Sequence, residues 1–502
     1  MNVTARLRNP DRLFIGGDWV RPSGTGTIRV LNAATEEVFV SVAEADEQDV
    51  VRAVAAARAA FDSGPWPRSA PQERAGYLRQ LAAEMDSRAD EIAEALSCET
   101  GMLFTLARTM ARMPAGIFTQ YAGYADVFEF ERPQKTGPGG ANAGLLVHEP
   151  VGVVAAIVPW NGPAAGIAQK VAAALICGCT VVLKVSPEAP TAGLILAEAC
   201  EKSGLPPGVL NVITADRAVS ENLVRHPGID MVAFTGSTAA GKRIASICGE
   251  RIARYQLELG GKSPAVILDD FDLDQASQIL SSSARFLTGQ VCASLTRFIV
   301  SRHRHDAFVE ALAAQFGPTR VGDPFDPTMQ MGPLAMCRQR ERVEGYIAQG
   351  VAEGARLIVG GGRPADLGRG WFVEPTLFAQ VDNDSTIGRE EIFGPVLCVI
   401  AARDEADAVR LANATNYGLN AAVFTKDSER AYAVARSLRS GTVGHNASRV
   451  DLSIGFGGFK QSGIGREGGG VDGLAAFLER KTVLLEQYPA HLRAPGSGSR
   501  TV

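Results

Sequence analysis

The sequence has no CxxC pair, no block of one charge sign and no clean apolar stretch long enough to span a bilayer. Each absence removes a class of protein. The eight cysteines, Cys98, Cys177, Cys179, Cys200, Cys248, Cys292, Cys337 and Cys398, are scattered, and the close pairs Cys177/Cys179 and His303/His305 lie far apart without further ligands nearby. Neither a disulfide framework nor a metal site is expected, and this usage fits a reducing cytoplasm. With 50 Lys and Arg against 55 Asp and Glu spread along the chain, there is no footprint for nucleic acid or an anionic membrane. The most hydrophobic region, residues 151–185, is broken by Pro159, Asn161 and Pro163, and its longest clean run falls between Lys170 and Lys184. That run reads as buried core. The first residues lack the continuous apolar stretch of a signal peptide, so secretion is not expected.

What is present is a globular composition, 46% hydrophobic and 21% charged, in 502 residues, too many for one ordinary core. Two large domains and a smaller element are expected. Gly16-Gly17 between apolar residues predicts a tight hairpin over 13–20. From Asp46 to Phe61, and again from about Pro71 to Gly101, apolar residues recur at helical spacing. Beyond the Gly-rich break at 136–144, strands and helices alternate: strands at "GVVAAIVP", "CTVVLKV", "VLNVIT" and "MVAFTG", helices from about Pro163, Thr191 and Ala218. This is the pattern of βαβ units and a largely parallel sheet. It restarts after Glu258 with "SPAVIL", a helix over about 274–286 and "RFIVSR". A late strand at 481–489 has no obvious partner.

Five segments carry chemistry, and each also has a purely structural reading. "FTGSTAAG" leads from a strand into a helix whose N–H groups suit a pyrophosphate; alternatively Ser237 or Thr238 merely caps it. It departs from GxGxxG. Lys184 ends an apolar strand at the edge where open α/β sheets bind ligands; alternatively it snorkels to solvent. Asn161, in a turn bracketed by prolines, offers an amide that could stabilise an oxyanion, or one that only makes its own turn. Glu258, between Leu257 and Leu259, is either ion-paired or raised in pKa as a general base. Cys292, after Gly289-Gln290, is either an inert core thiol or a nucleophile.

Taken together and in order, "PWN", "LK", "FTGST", "LELGGKSP", "GQVC", "EIFGPV", "NYGLNAAVF" and "FGGFKQSGIGREGG" resemble the aldehyde dehydrogenase superfamily over about residues 13–487. The resemblance implies two doubly wound parallel-sheet α/β domains, Rossmann-like and catalytic, plus a small β oligomerisation element. A cofactor-binding domain is expected at 1–131 and 151–260, a catalytic domain at 261–462, an oligomerisation arm at 132–150 and 463–490, and a flexible tail at 491–502. A homodimer or homotetramer follows. The implied reaction is oxidation of an aldehyde to the acid: Cys292 attacks, Asn161 and the Cys292 N–H hold the oxyanion, hydride passes to NAD, and Glu258 activates the water that hydrolyses the thioester. Ile157, Trp160, Lys184, Glu188, Gly236, Ser237, Glu391 and Phe393 are implied around the cofactor. Lys170 and Glu467 match a pair that relays the base's proton.

Four departures from the family pattern bear on specificity. Pro187 stands where many NAD-preferring relatives place a ribose-binding Glu, with Glu188 one place later, so NADP is admitted beside NAD. Around the aldehyde tunnel, Gly162, Ala165, Gly166 and Gln169 are small or polar where relatives carry bulk; Met113, Phe286, Val291, Phe456 and the loop 445–454 are further candidates for its lining. This suggests a bulky, mainly apolar aldehyde, aromatic, terpenoid or long aliphatic. Leu287 replaces a usual asparagine, and the usual "PFGG" begins with Gly455. The rival readings are a CoA-acylating dehydrogenase, whose members generally lack the base matched by Glu258, and a non-catalytic protein on the same scaffold.

Overall fold

The computed structural model describes residues 7–492. Two sheets dominate it. In the first, the strands Arg254–Glu258, Met231–Thr235, Val153–Ile157, Thr180–Val185 and Leu210–Thr214 lie parallel in that order. The hairpin Leu13–Ile15/Asp18–Val20 extends one edge and Gly463–Ile464 the other, both antiparallel. In the second, Thr376–Ala379, Val396–Ala402, Leu295–Ser301, Ser263–Ile267, Asn420–Phe424 and Thr442–His445 run parallel, with Arg356–Val359 antiparallel at one edge.

The helices form where the apolar spacing requires them. Glu47–Asp62 starts at a reciprocal cap between Asp46 and Asp49 and buries Val50, Ala53, Val54 and Ala57. Pro163–Cys177 opens on a proline that needs no N–H partner and stops at Gly178, whose φ of 90° suits glycine. It is buried over most of its surface because it fills the space between the first sheet and the helices Pro71–Ser87 and Met113–Val127. The helical stretch expected to run to Gly101 breaks at Arg88 into Pro71–Ser87 and Ala89–Thr100. Arg88 turns its guanidinium to Glu91 and, across the fold, to Glu198.

The late strand joins the arm segment that the resemblance implied. It spans Leu478–Leu485, earlier than expected, and pairs antiparallel with Ala143–Pro150 in the same chain. With Glu131–Gln134 these form a third sheet. Gly463–Ile464, expected in this arm, belongs to the first sheet instead, because its register with Leu257 and Glu258 carries the chain past the sheet edge before it leaves. Thr27–Leu31 and Val38–Ala43 form a separate ribbon. Of the tail expected at 491–502, residues 493–502 lie outside the described residues.

The topology places the site. Strand Val153–Ile157 is followed by strands added on one side and then, with Met231–Thr235, on the other, so a crevice opens at the carboxyl ends of these two strands. Arg254–Glu258 points into the same region, and the chain passes directly from Glu258 to Ser263, the amino end of a second-sheet strand. The carboxyl edge of one sheet thus faces the amino edge of the other.

One buried acid outside this region gives a direct test of the packing. Glu99 is 1% exposed; one carboxyl oxygen accepts from the Thr191 N–H (3.2 Å) and hydroxyl (2.6 Å), and the other has no partner among the described residues. Burial pushes its carboxyl up to about 8. Because the folded state binds this proton more tightly than the unfolded chain, its contribution falls as pH rises towards 8, by at most about 1.4 kcal/mol per pH unit. Thermal unfolding from about pH 5 to 8 should therefore lose stability more steeply in the wild type than in Glu99→Gln; parallel curves contradict the burial.

Candidate active site

Glu258 ends its strand, and the next two residues are glycines for a steric reason. A Cβ on Gly260 would collide with the Glu391 carboxylate, and one on Gly261 would lie 2.6 Å from the Cys292 carbonyl oxygen. The crossing between the sheets is thereby pressed against both Glu391 and Cys292. Gly457 borders the base in the same way, since its Cβ would come within 2.8 Å of Glu258 Oε1.

Glu258 is 2% exposed, and neither carboxyl oxygen has a hydrogen-bond partner among the described residues. Of its two sequence readings, ion-paired or raised in pKa, the described residues give no ion pair and a raised carboxyl. Burial raises its pKa well above the ordinary carboxylate range, the charge of Glu467 adds to this, and Lys170 and Arg466 oppose it. Lys170 is buried at 1% exposure; its ammonium donates to Thr235 Oγ1 (2.7 Å) and is paired with Glu467.

Cys292 is half-buried, three residues ahead of Leu295–Ser301. Burial pushes its thiol up to about 12, the charges of Glu391 and Glu258 push the same way, and the Ala293 N–H opposes them. Asn161 Nδ2 donates to the Gln290 carbonyl (2.9 Å), which fixes the amide relative to the loop bearing Cys292. Gln290 is itself held by the Thr100 carbonyl (3.4 Å), the Leu287 carbonyl (3.1 Å) and the Ala335 N–H (2.9 Å).

On the first-sheet side lies a cavity of about 410 Å³ whose lining includes Ile157, Trp160, Lys184, Glu188, Gly236 and Ser237. Lys184 does not snorkel: it is 7% exposed, its ammonium donates among the described residues only to the Ala215 carbonyl (3.5 Å), and burial brings its pKa down to about 8. Ser237 caps Thr238–Glu250 by accepting from the Ala240 N–H (3.3 Å). A buried ammonium and a helix N-terminus on one cavity suit a phosphate-bearing cofactor. Glu391 accepts from the Gly261 N–H (3.0 Å), and burial brings it up to about 7. The Phe393 ring meets Trp160 edge to face at 5.5 Å.

Two residues that sequence reasoning missed brace this last segment. Gln339 donates to the Phe393 carbonyl (2.8 Å) and Arg342 to the Glu391 carbonyl (2.7 Å). Both sit on Cys337–Ala352, a polar helix with no motif to distinguish them.

The residues expected around the aldehyde divide. Val291 and Leu452 pack with Cys292 against Ala293, Leu419 and Phe456. Met113, Ala165 and Phe286 pack, partly buried, on the large core beside Leu287. A Cβ on Gly162 would meet nothing within 4 Å, and one on Gly166 only Val158 at 3.9 Å. Gln169, by contrast, turns inward: it is 5% exposed, accepts from the Tyr121 hydroxyl (3.1 Å) and sits beside Lys170 and Glu467. Gly455 has φ +126°, closed to the proline usual in relatives. Next to it, Phe456 and Glu467 exchange backbone hydrogen bonds (2.6 and 2.7 Å).

The sequence matches the model of the aldehyde dehydrogenase family over residues 19–483. It is 43% identical over 476 residues to geranial dehydrogenase of Castellaniella defragrans, covering 94% of this chain and 98% of that protein. The fold is similar to that of a Mycobacterium tuberculosis aldehyde dehydrogenase complexed with NAD+, at TM-score 0.92 and 43% identity, covering 96% of this chain and 99% of that one. It is also similar to a mutant of aldehyde dehydrogenase C from Pseudomonas syringae complexed with NAD+ and octanal, at TM-score 0.90 and 38% identity, covering 95% and 97%.

The electrostatics of the thiol predict its reactivity in the cofactor-free protein. With a pKa of about 12, Cys292 should be alkylated by iodoacetamide slowly near neutral pH, the rate rising about tenfold per pH unit to at least pH 10. Glu258→Gln removes a charge that raises the thiol and should shift the profile to lower pH. Peptide mapping separates Cys292 from the half-buried Cys337; a plateau below pH 8 contradicts the assignment.

Proposed function

Since the chain belongs to the aldehyde dehydrogenase family of NAD-dependent oxidoreductases, we infer that it oxidises a bulky, mainly apolar aldehyde to the carboxylic acid through a thiohemiacetal and a thioester on Cys292. The observation that carries this reading is the buried Glu258 carboxylate, without a hydrogen-bond partner among the described residues, set near the half-buried Cys292 thiol.

Cys292 gives up its proton to solvent water and its sulfur attacks the aldehyde carbon, forming the C–S bond and moving the carbonyl electrons onto oxygen. The Asn161 amide, with one N–H tied to Gln290, turns its other to that oxyanion together with the Cys292 backbone N–H. NAD+ bound in the cleft supplies the two-electron acceptor that takes the hydride. The residues that would hold it are Lys184 at the adenosine ribose, Gly236 and Ser237 at the pyrophosphate, and Glu391 and Phe393 at the nicotinamide end, with Ile157 and Trp160 as walls. Glu258 then takes a proton from water, whose oxygen attacks the thioester, and the sulfur leaves as thiolate. Lys170 and Glu467 pass the proton onward behind it.

The apolar contact of Val291, Leu452 and Phe456 with the nucleophile, and the small Gly162, Ala165 and Gly166 nearby, favour a large substrate over a small one. Similarity to a geranial dehydrogenase and to an enzyme complexed with octanal points the same way. The third sheet leaves Leu478–Leu485 and Glu131–Gln134 as its outer strands, with Leu484 61% exposed, which suits pairing with a second copy in a dimer or tetramer.

The test is a panel of acetaldehyde, octanal, benzaldehyde and geranial with NAD+ and without CoA. Acid formation with kcat/KM at least about tenfold higher for the larger aldehydes is expected, since each buried methylene adds about 0.8 kcal/mol. Equal values for acetaldehyde and octanal contradict the substrate class, and a requirement for CoA contradicts hydrolysis.

A further inference from the structure

The cavity bearing Lys184 shares a wall with a second, of about 510 Å³: Pro187, Glu188, Asp216 and Arg338 line both. The centre of that wall is an ion pair between Glu188 and Arg338, and Glu188 also accepts from the Ser186 hydroxyl. Its two halves come from different parts of the fold. Glu188 follows the first-sheet strand Thr180–Val185, whereas Arg338 stands in the first turn of Cys337–Ala352, whose Val343 and Ile347 are buried in the second sheet's core.

The partners are unequal. The Glu188 side chain is 16% exposed and held twice, while that of Arg338 is 57% exposed and keeps freedom to reorient. Among the other cations on the first cavity, Arg243 is engaged by Glu221, Lys184 is buried, and Arg217 is exposed at the first position of the helix Arg217–Arg225. At one point beside Lys184 the wall therefore presents an acceptor-only carboxylate and, behind it, a donor-only guanidinium. A ribose 2′-hydroxyl is served by the first; a 2′-phosphate is repelled by it and matched by the fork of the second.

We propose that Arg338 is a concealed 2′-phosphate ligand: paired with Glu188 it keeps the carboxylate at the ribose and favours NAD+, and freed from Glu188 it binds the phosphate of NADP+. This rests on the reading that the cofactor occupies the Lys184 cleft with its adenosine ribose at that lysine. The pair is then the specificity element that Pro187 had left without an occupant.

The test is direct binding to the cofactor-free protein, with the fluorescence of Trp160 in the cleft wall as reporter, titrated with NAD+ and with NADP+. Glu188→Gln should tighten NADP+ by about tenfold or more, the scale of one charge-assisted contact, and weaken NAD+. Adding Arg338→Met should abolish the NADP+ gain; Glu188→Ala, with and without Arg338→Met, repeats the test with a second side chain. An unchanged NADP+ Kd in Glu188→Gln, or a gain that survives in the double variant, overturns the role of Arg338. If Lys184→Ala leaves NAD+ binding unchanged, the placement of the cofactor itself is overturned, and the inference with it.

Discussion

Between Glu258 and Ser263 the backbone passes from one sheet to the other through a space where a β-carbon would meet the Glu391 carboxylate at Gly260 and the Cys292 carbonyl oxygen at Gly261. That steric constraint sets Glu258, Glu391 and Cys292 beside one another, although they are far apart in sequence. Either glycine given a side chain would push the crossing away from the nucleophile's carbonyl or from Glu391. The remaining site groups are tied to this passage: Asn161 through Gln290, and Gln339 and Arg342 through the segment carrying Glu391 and Phe393.

The same closeness determines the charge state. Burial holds Cys292, Glu258 and Glu391 towards their protonated forms, with the charges of Glu391 and Glu258 adding at the thiol and that of Glu467 at Glu258, so positive charge entering the cleft shifts all three in the same direction. Lys170 already opposes the rise at Glu258 but is itself committed to Glu467 and Thr235. Phe456, against the nucleophile's apolar surroundings, exchanges backbone hydrogen bonds with Glu467. The apolar side of the site and the groups behind its base are thus mechanically joined.

Much of the fold was legible, because the alternation of Val- and Ile-rich strands with helices of clear period is a local property. So was the cluster of Cys292, Glu258, Asn161 and Lys184, once their segments were read in order. Non-local facts were not. The direction of Gln169 depends on Tyr121, and the Glu188–Arg338 pair joins two sheets. Leu287 is a further case: it occupies a left-handed conformation (φ 46°) that favours asparagine, and no pattern around it marks that strain. Gly455 was readable as a departure from the usual proline, but only its φ shows that the backbone follows a path closed to proline.

The central claim is that Cys292 carries the acyl group and Glu258 clears it. Glu258→Gln, incubated with NAD+ and octanal and analysed by peptide mass spectrometry, tests it most directly. An octanoyl adduct on the peptide containing Cys292, formed within one turnover and persisting, is expected. Release of octanoic acid at the wild-type rate with no adduct on Cys292 would contradict it.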